Sequence, residues 1–205
     1  MTNGMRTQLK SLFALTLLLL ALSATGARAE SNSDREPLDG WFLGINAGSG
    51  ETYTAWEEGK RSTTEEGEYG AMGAFRVGYA INSKWAISLE GIGMGVPNYG
   101  DTDEDLGVGA GLVVGTWHPV GHGFFVRMGL GAGGGQFIHP DTREKVELEG
   151  KFAALFGLGY DWRIGEKTAL GVAFDGFGME AGGLTGYSED AVGAGTFSIQ
   201  FTLHP

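Results

Sequence analysis

The stretch YGAMGAFRVGYAI, residues 69–81, decides the fold. Read with a period of two, it puts Tyr69, Ala71, Gly73, Phe75, Val77, Tyr79 and Ile81 on one face. Gly70, Met72, Ala74, Arg76, Gly78 and Ala80 fall on the other. Rings and branched aliphatics are sorted from glycine, alanine and a single arginine, which is the signature of a strand rather than a helix.

Seven further stretches show the same alternation, at 41–50, 85–96, 106–118, 124–137, 148–164, 168–179 and 191–203. Trp85, Ile87 and Leu89 oppose Ser88 and Glu90, while Phe124, Val126, Met128 and Leu130 oppose Arg127. Phe152, Phe156, Leu158, Tyr160, Trp162 and Ile164 oppose Lys151, Asp161 and Arg163. Leu170, Val172 and Phe174 oppose Asp175, and Phe197, Ile199, Phe201 and Leu203 oppose Thr196, Ser198 and Gln200. Short connections at 82–84, 121–123 and 165–167 alternate with long polar ones at 51–68, 97–105, 138–147 and 180–190. That rhythm predicts an all-β fold, an eight-stranded antiparallel up-and-down barrel with both termini at the short-turn end.

Two barrels share this pattern. A water-soluble cup turns its large apolar face inward; a transmembrane barrel turns it outward. The face opposite the large residues is mostly small, with few charges, which suits a cramped bore better than a wet surface. Rings also gather near strand ends, at Trp41, Phe42, Tyr69, Tyr79, Trp85, Trp117, Phe124, Phe125, Tyr160 and Trp162. Amphipathic rings favour the headgroup zone, so the expectation is two aromatic girdles, with Trp41, Tyr69, Tyr79, Trp85, Phe124, Tyr160 and Trp162 as members. The transmembrane reading is the one adopted. It shuts Arg76, Glu90, Arg127, Lys151, Asp161, Arg163 and Asp175 inside the bore. Buried charges pair, and the expected pairs are Arg76 with Glu90, and Arg127 or Arg163 with Asp161 or Asp175. Such pairs read as a packing network, or more sharply as a gate; eight strands leave little open bore, which favours packing.

The chain begins with Arg6 and Lys10, an apolar run at 12–22 and the small-x-small triplet Ala27-Arg28-Ala29. This is the order of a secretory signal peptide, so residues 1–29 are expected to be cleaved. The expected organisation is signal peptide 1–29, a short periplasmic tail 30–39 and a barrel at 40–205. Cleavage removes three basic residues and leaves a chain more acidic than the full sequence, whose formal charge is −11. That balance argues against nucleic acid as a partner, since nucleic-acid binding rests on Lys and Arg at phosphates. The absence of cysteine excludes disulfides, thiolate metal sites, a cysteine nucleophile and a lipidated anchor cysteine.

The leader, eight alternating strands, acidic long loops, charged bore and last strand FSIQFTL (197–203) together resemble the small Gram-negative outer-membrane barrels of the OmpA/OmpX type. The resemblance covers nearly all of the chain after the leader. It implies an outer-membrane location, contact with outer-membrane lipid and lipopolysaccharide, and insertion by the outer-membrane assembly machinery. It also implies periplasmic termini and external long loops. The family's last strand usually ends on an aromatic residue, whereas this one runs on through Leu203 to His204 and Pro205.

Acidic residues crowd two loops: Glu51, Glu57, Glu58, Glu65, Glu66 and Glu68, then Asp101, Asp103, Glu104 and Asp105. Carboxylates of this density are candidates for Ca²⁺ or Mg²⁺, but the second cluster lacks the glycine and closing glutamate of an EF-hand. Solvated, self-repelling loops are the simpler reading. The glycine runs at 107–111 and 131–135 lie inside strand patterns with no following Gly-Lys-Ser/Thr, so they are not phosphate loops. His118, His122, His139 and His204 show no metal-ligand spacing, and none has Ser two residues on, the pair used by lipid A deacylase barrels. No catalytic residue, metal or cofactor is assigned. The expected function is a non-catalytic integral outer-membrane barrel acting in envelope structure or surface interaction through its acidic loops, its surface ligand unspecified. The alternative is a narrow, porin-like channel for small or hydrophobic solutes; a lipid-modifying barrel enzyme ranks below both.

Overall fold

Strict alternation over eight stretches demands that each strand find a partner on both edges, and closure supplies one. The computed structural model describes residues 39–58, 61–97, 106–120, 123–138, 145–180 and 191–205, without the side chains of 54–58, 61–68, 137–138 and 145–150. The expected leader and nearly all of the expected tail lie outside the described residues. Eight strands follow in order: β1 (Gly40–Glu58), β2 (Arg61–Ala80), β3 (Trp85–Val96), β4 (Leu106–Trp117), β5 (Phe124–Ile138), β6 (Lys145–Arg163), β7 (Thr168–Glu180) and β8 (Ala191–Leu203). Each pairs antiparallel with the next, and β8 returns to β1 from Leu43 opposite Leu203 to Ala55 opposite Ala191, closing the barrel.

Two connections at the turn end show why they are short. The Asn82 carboxamide oxygen accepts from the N–H groups of Lys84 at 2.8 Å and Trp85 at 3.0 Å, holding an Asx-type turn. Gly123 has φ +74°, and a Cβ there would stand 2.8 Å from the Tyr160 ring, so glycine is required on both counts. At the other end, β1 and β2 are longer than expected. Most of the span read as a loop at 51–68 is paired strand, from Tyr53 opposite Glu66 to Glu58 opposite Arg61, beyond a register shift at Glu51/Tyr53. Past the apolar belt neither face needs to be oily, so the alternation that reveals a strand fades while the ladder continues.

Side-chain direction settles which barrel this is. Phe75, Phe156 and Phe197 point outward, 53%, 53% and 41% exposed, while Arg76 and Asp175 point into the bore at 7% and 0%. Trp41, Leu43, Ile45, Ile87, Leu89, Met128, Leu130, Phe152, Phe174 and Ile199 continue the outward belt. Large apolar groups on the outside and charges within is the wetting pattern of a transmembrane barrel.

The bore has two levels. On β3, Ser88 and Glu90 give way to Ile92, Met94 and Val96 toward the loop end; on β7, Asp175 gives way to Phe177 and Met179. With Leu106, Val108, Leu112, Leu155 and Val192 these form an apolar plug in the loop-side half. Charges and amides fill the turn-side half. Sequence reading assigned β4 no face: its Leu106, Val108, Leu112 and Val114 point inward. Its outward glycines meet those of β3 directly, Gly91 opposite Gly111, Gly93 opposite Gly109 and Gly95 opposite Gly107. A Cβ on Gly91, Gly95 or Gly111 would touch nothing within 4 Å, so this sector of the outer wall is bare backbone.

Candidate functional site

The turn-side half of the bore is the chemically distinctive part of the molecule. Its centre is Arg127 on β5, buried together with Glu90 on β3 and Asp175 on β7. Arg127 Nη1 donates to Glu90 Oε1 at 3.1 Å and Oε2 at 3.3 Å, and Nε donates to Asp175 Oδ1 at 2.7 Å. Nη2 donates to Asp175 Oδ2 as well, so that pair is bidentate. One guanidinium thus ties three alternate strands across the bore.

The Arg127–Asp175 contact depends on what lies between. Gly157 on β6 is opposite both residues, and a Cβ there would overlap Asp175 Oδ1 and crowd Arg127 Cγ at 3.2 Å. The same device recurs twice. Arg76 crosses β1 over Gly44 to donate from Nη2 to Thr202 Oγ1 on β8 at 2.6 Å. Gln200 on β8 crosses Gly171 on β7 to donate from Nε2 to the Asp161 carboxylate on β6. In each row a bare glycine lets two polar side chains two strands apart meet over the backbone between them.

These contacts revise the expected pairs. Glu90 sits opposite Arg76 in the β2–β3 register, yet its carboxylate turns to Arg127, and Arg76 leans the other way over Gly44 to a hydroxyl. Arg127 does bind Asp175, whereas Asp161 is held by Gln200. Arg163, half-buried at the turn end, donates to the Glu166 carbonyl at 2.9 Å, and Lys151 is half-buried toward the loop end. Gln200, Thr202 and Asn46 are buried in the same half; the alternation of β8 puts Gln200 on the inward face, but neutral polar residues carry no charge signal that marks them as partners.

Two rings expected on the outside close the turn end from within. Phe42 and Phe125 point inward because they follow outward Trp41 and Phe124 by one residue. Phe42 lies over Gly78 and beside the His204 ring at 5.7 Å; Phe125 lies over Gly159 and beside His118 at 5.9 Å. His204 follows the last strand, with its backbone N–H on the Lys167 carbonyl at 2.8 Å. Burial, then the Arg163 and Arg76 charges, push its ring below the ordinary histidine value, with Asp161 opposing.

The rings that do face outward are unequally divided. Trp41 packs edge-on to Tyr79 at 5.7 Å, Trp85 stacks on Trp117 at 6.1 Å, and Tyr160 lies 5.0 Å from Trp162, with Phe124 opposite Tyr160. All belong to the turn end. Tyr69 stands toward the loop end, where Tyr53 donates its hydroxyl to Glu51 at 3.0 Å. Among the acidic loop residues, Glu57, Glu58, Glu65, Glu66, Glu68, Asp101, Asp103, Glu104 and Asp105 lie outside the described side chains. His122 and His139 lie outside the described residues as well.

No family model matches this sequence, and no curated protein does. Solved structures match it in fold. The attachment invasion locus protein Ail of Yersinia pestis aligns over 80% of this chain and 99% of its own, with a TM-score of 0.50 and 12% identity. Neisserial surface protein A aligns over 80% and 97%, with a TM-score of 0.52 and 10% identity. At such identity the likeness is one of architecture: this chain has the fold of the small eight-stranded outer-membrane barrels.

Proposed function

We propose that the protein is a non-catalytic integral outer-membrane barrel that contributes to envelope structure or to surface contacts through its acidic loop end. The observation that carries this reading is the outward belt of large apolar side chains around a bore filled with charge and plugged by apolar residues. In water such a belt is an aggregation surface; in hydrocarbon it is an anchor. The two solved neighbours are named for attachment and invasion and as a surface protein, which accords with this reading.

Within the bore, Phe42 and Phe125 fill the turn end, the Arg127 triad crosses the middle, and Met94, Leu106 and Phe177 fill the loop half. That filling supports an anchor stiffened from inside over the porin-like alternative. The outer-membrane lipid and lipopolysaccharide are then its surroundings, and the outer-membrane assembly machinery its route of insertion. Membrane fractionation with a heat-modifiable gel shift tests the location; recovery in the soluble fraction would refute it. Planar-bilayer recording tests the role: silence is expected, and steady openings would favour the channel.

A further inference from the structure

Toward the turn end, the inward residues of β8 are Gln200 and Thr202, and His204 follows just past the strand. The first two each meet a charged side chain: Gln200 donates to the Asp161 carboxylate, and Thr202 accepts from Arg76. His204 breaks the series. Its ring lies against Phe42 at 5.7 Å, and its Nδ1 is buried with no hydrogen-bond partner. Phe42 is buried over Gly78, so imidazole and phenyl together close this side of the mouth.

The ring hangs from a movable segment. The ladder of β8 ends with Leu203, opposite Leu43 and Thr168, and beyond it the His204 N–H donates to the Lys167 carbonyl at 2.8 Å. A segment past the end of the ladder turns outward without breaking a strand pair. The charged groups that face the ring are Arg163 and Asp161 from β6 and Arg76 from β2. A proton on the seated ring would place an N–H at Nδ1 with no acceptor beside it. It would also add a third cation to two guanidinium groups, against one carboxylate that Gln200 already engages. In water outside the mouth the imidazolium meets none of these penalties.

We propose that His204 is an acid-released cap on the turn-end mouth: neutral, it covers Phe42; protonated, it swings into water with Pro205 and uncovers it. Burial, then the Arg163 and Arg76 charges, hold the seated ring below the ordinary histidine value, with Asp161 opposing. The cap is therefore complete above the ordinary histidine range and is lost as pH falls through the lower value of the seated ring. The apolar plug of the loop half is built from side chains that do not titrate, so release uncovers the mouth without opening a path through the bore.

NMR of the folded protein in detergent micelles, titrated from neutral to acid pH, tests this. The Phe42 ring signals and the His204 backbone amide are expected to move together with the His204 ring titration, while Phe177 in the plug stays fixed. A His204 titration that leaves Phe42 unmoved means that the ring charges in its seat, and overturns the cap. Movement of Phe177 along with Phe42 means that acid loosens the whole barrel, and overturns it too. His204→Phe keeps a neutral ring on Phe42 and is expected to give flat Phe42 signals; a shift that persists there assigns the trigger to another group. His204→Arg carries its charge throughout, so Phe42 is expected in the uncovered state even at neutral pH, and covered-state signals in that variant overturn the proposal.

Discussion

Arg127 and Asp175 sit on strands that are not neighbours, yet the Arg127 Nε–H lies 2.7 Å from Asp175 Oδ1 because Gly157, on the strand between, presents no side chain. A glycine in this row is a structural requirement of the ion pair. Its cost to the strand is accepted for the contact it permits.

Gly157→Ala therefore loses stability by about 1–3 kcal/mol, the range for overpacking, because its methyl displaces a buried carboxylate from its guanidinium. Gly91→Ala, where a Cβ touches nothing within 4 Å, leaves the unfolding midpoint unchanged. Urea titration of both variants in lipid vesicles makes the comparison.

Arg127→Met strands two buried carboxylates and loses about 3–5 kcal/mol. Adding Glu90→Gln and Asp175→Asn removes the uncompensated charge and recovers most of that loss. Failure of the added changes to recover stability would show that Arg127 acts through packing alone.

Depth, and not exposure, governs the outer wall. Leu89 and Val120 are both 67% exposed, but Leu89 lies within β3 and Val120 in a turn-end connection. Leu89→Lys costs about 2–4 kcal/mol of folding stability in vesicles, while Val120→Lys costs at most about 1 kcal/mol. Equal losses would contradict the membrane belt.

The His204 ring is held below its ordinary value, so protonation is easier in the unfolded chain than in the folded one. Its contribution to stability is complete above the ordinary histidine range and is lost as pH falls through the lower folded value. His204→Gln abolishes that part of the pH dependence. Proton titration of the ring by NMR, and stability against pH for both proteins, check the direction.

Period-two patterning made the strands, their number and their facing legible, since residues such as Phe75 and Arg76 are sorted by wetting alone. It ended where sorting by wetting ended: from Tyr53 to Glu58 the ladder runs on through Tyr53, Ala55 and Trp56 mixed with Thr54, Glu57 and Glu58, and reads as loop. Phe42 and Phe125 depart from the rule that rings near strand ends face the lipid, because strand parity turns them inward. The pairs in the bore were beyond reach. That Arg76 turns from Glu90 to Thr202 depends on Gly44 being opposite both Arg76 and Thr202, and this follows from register, which no single strand contains.

The facing glycines of β3 and β4 give this cylinder a thin side. A phenylalanine or leucine holds a lipid tail off the peptide ladder; along Gly91–Gly111, Gly93–Gly109 and Gly95–Gly107, and again along Gly176–Gly195 and Gly178–Gly193 between β7 and β8, the tail meets the ladder itself. The wall therefore has an azimuth: seen from within the bilayer, the β3–β4 and β7–β8 flanks are recessed between upholstered ones.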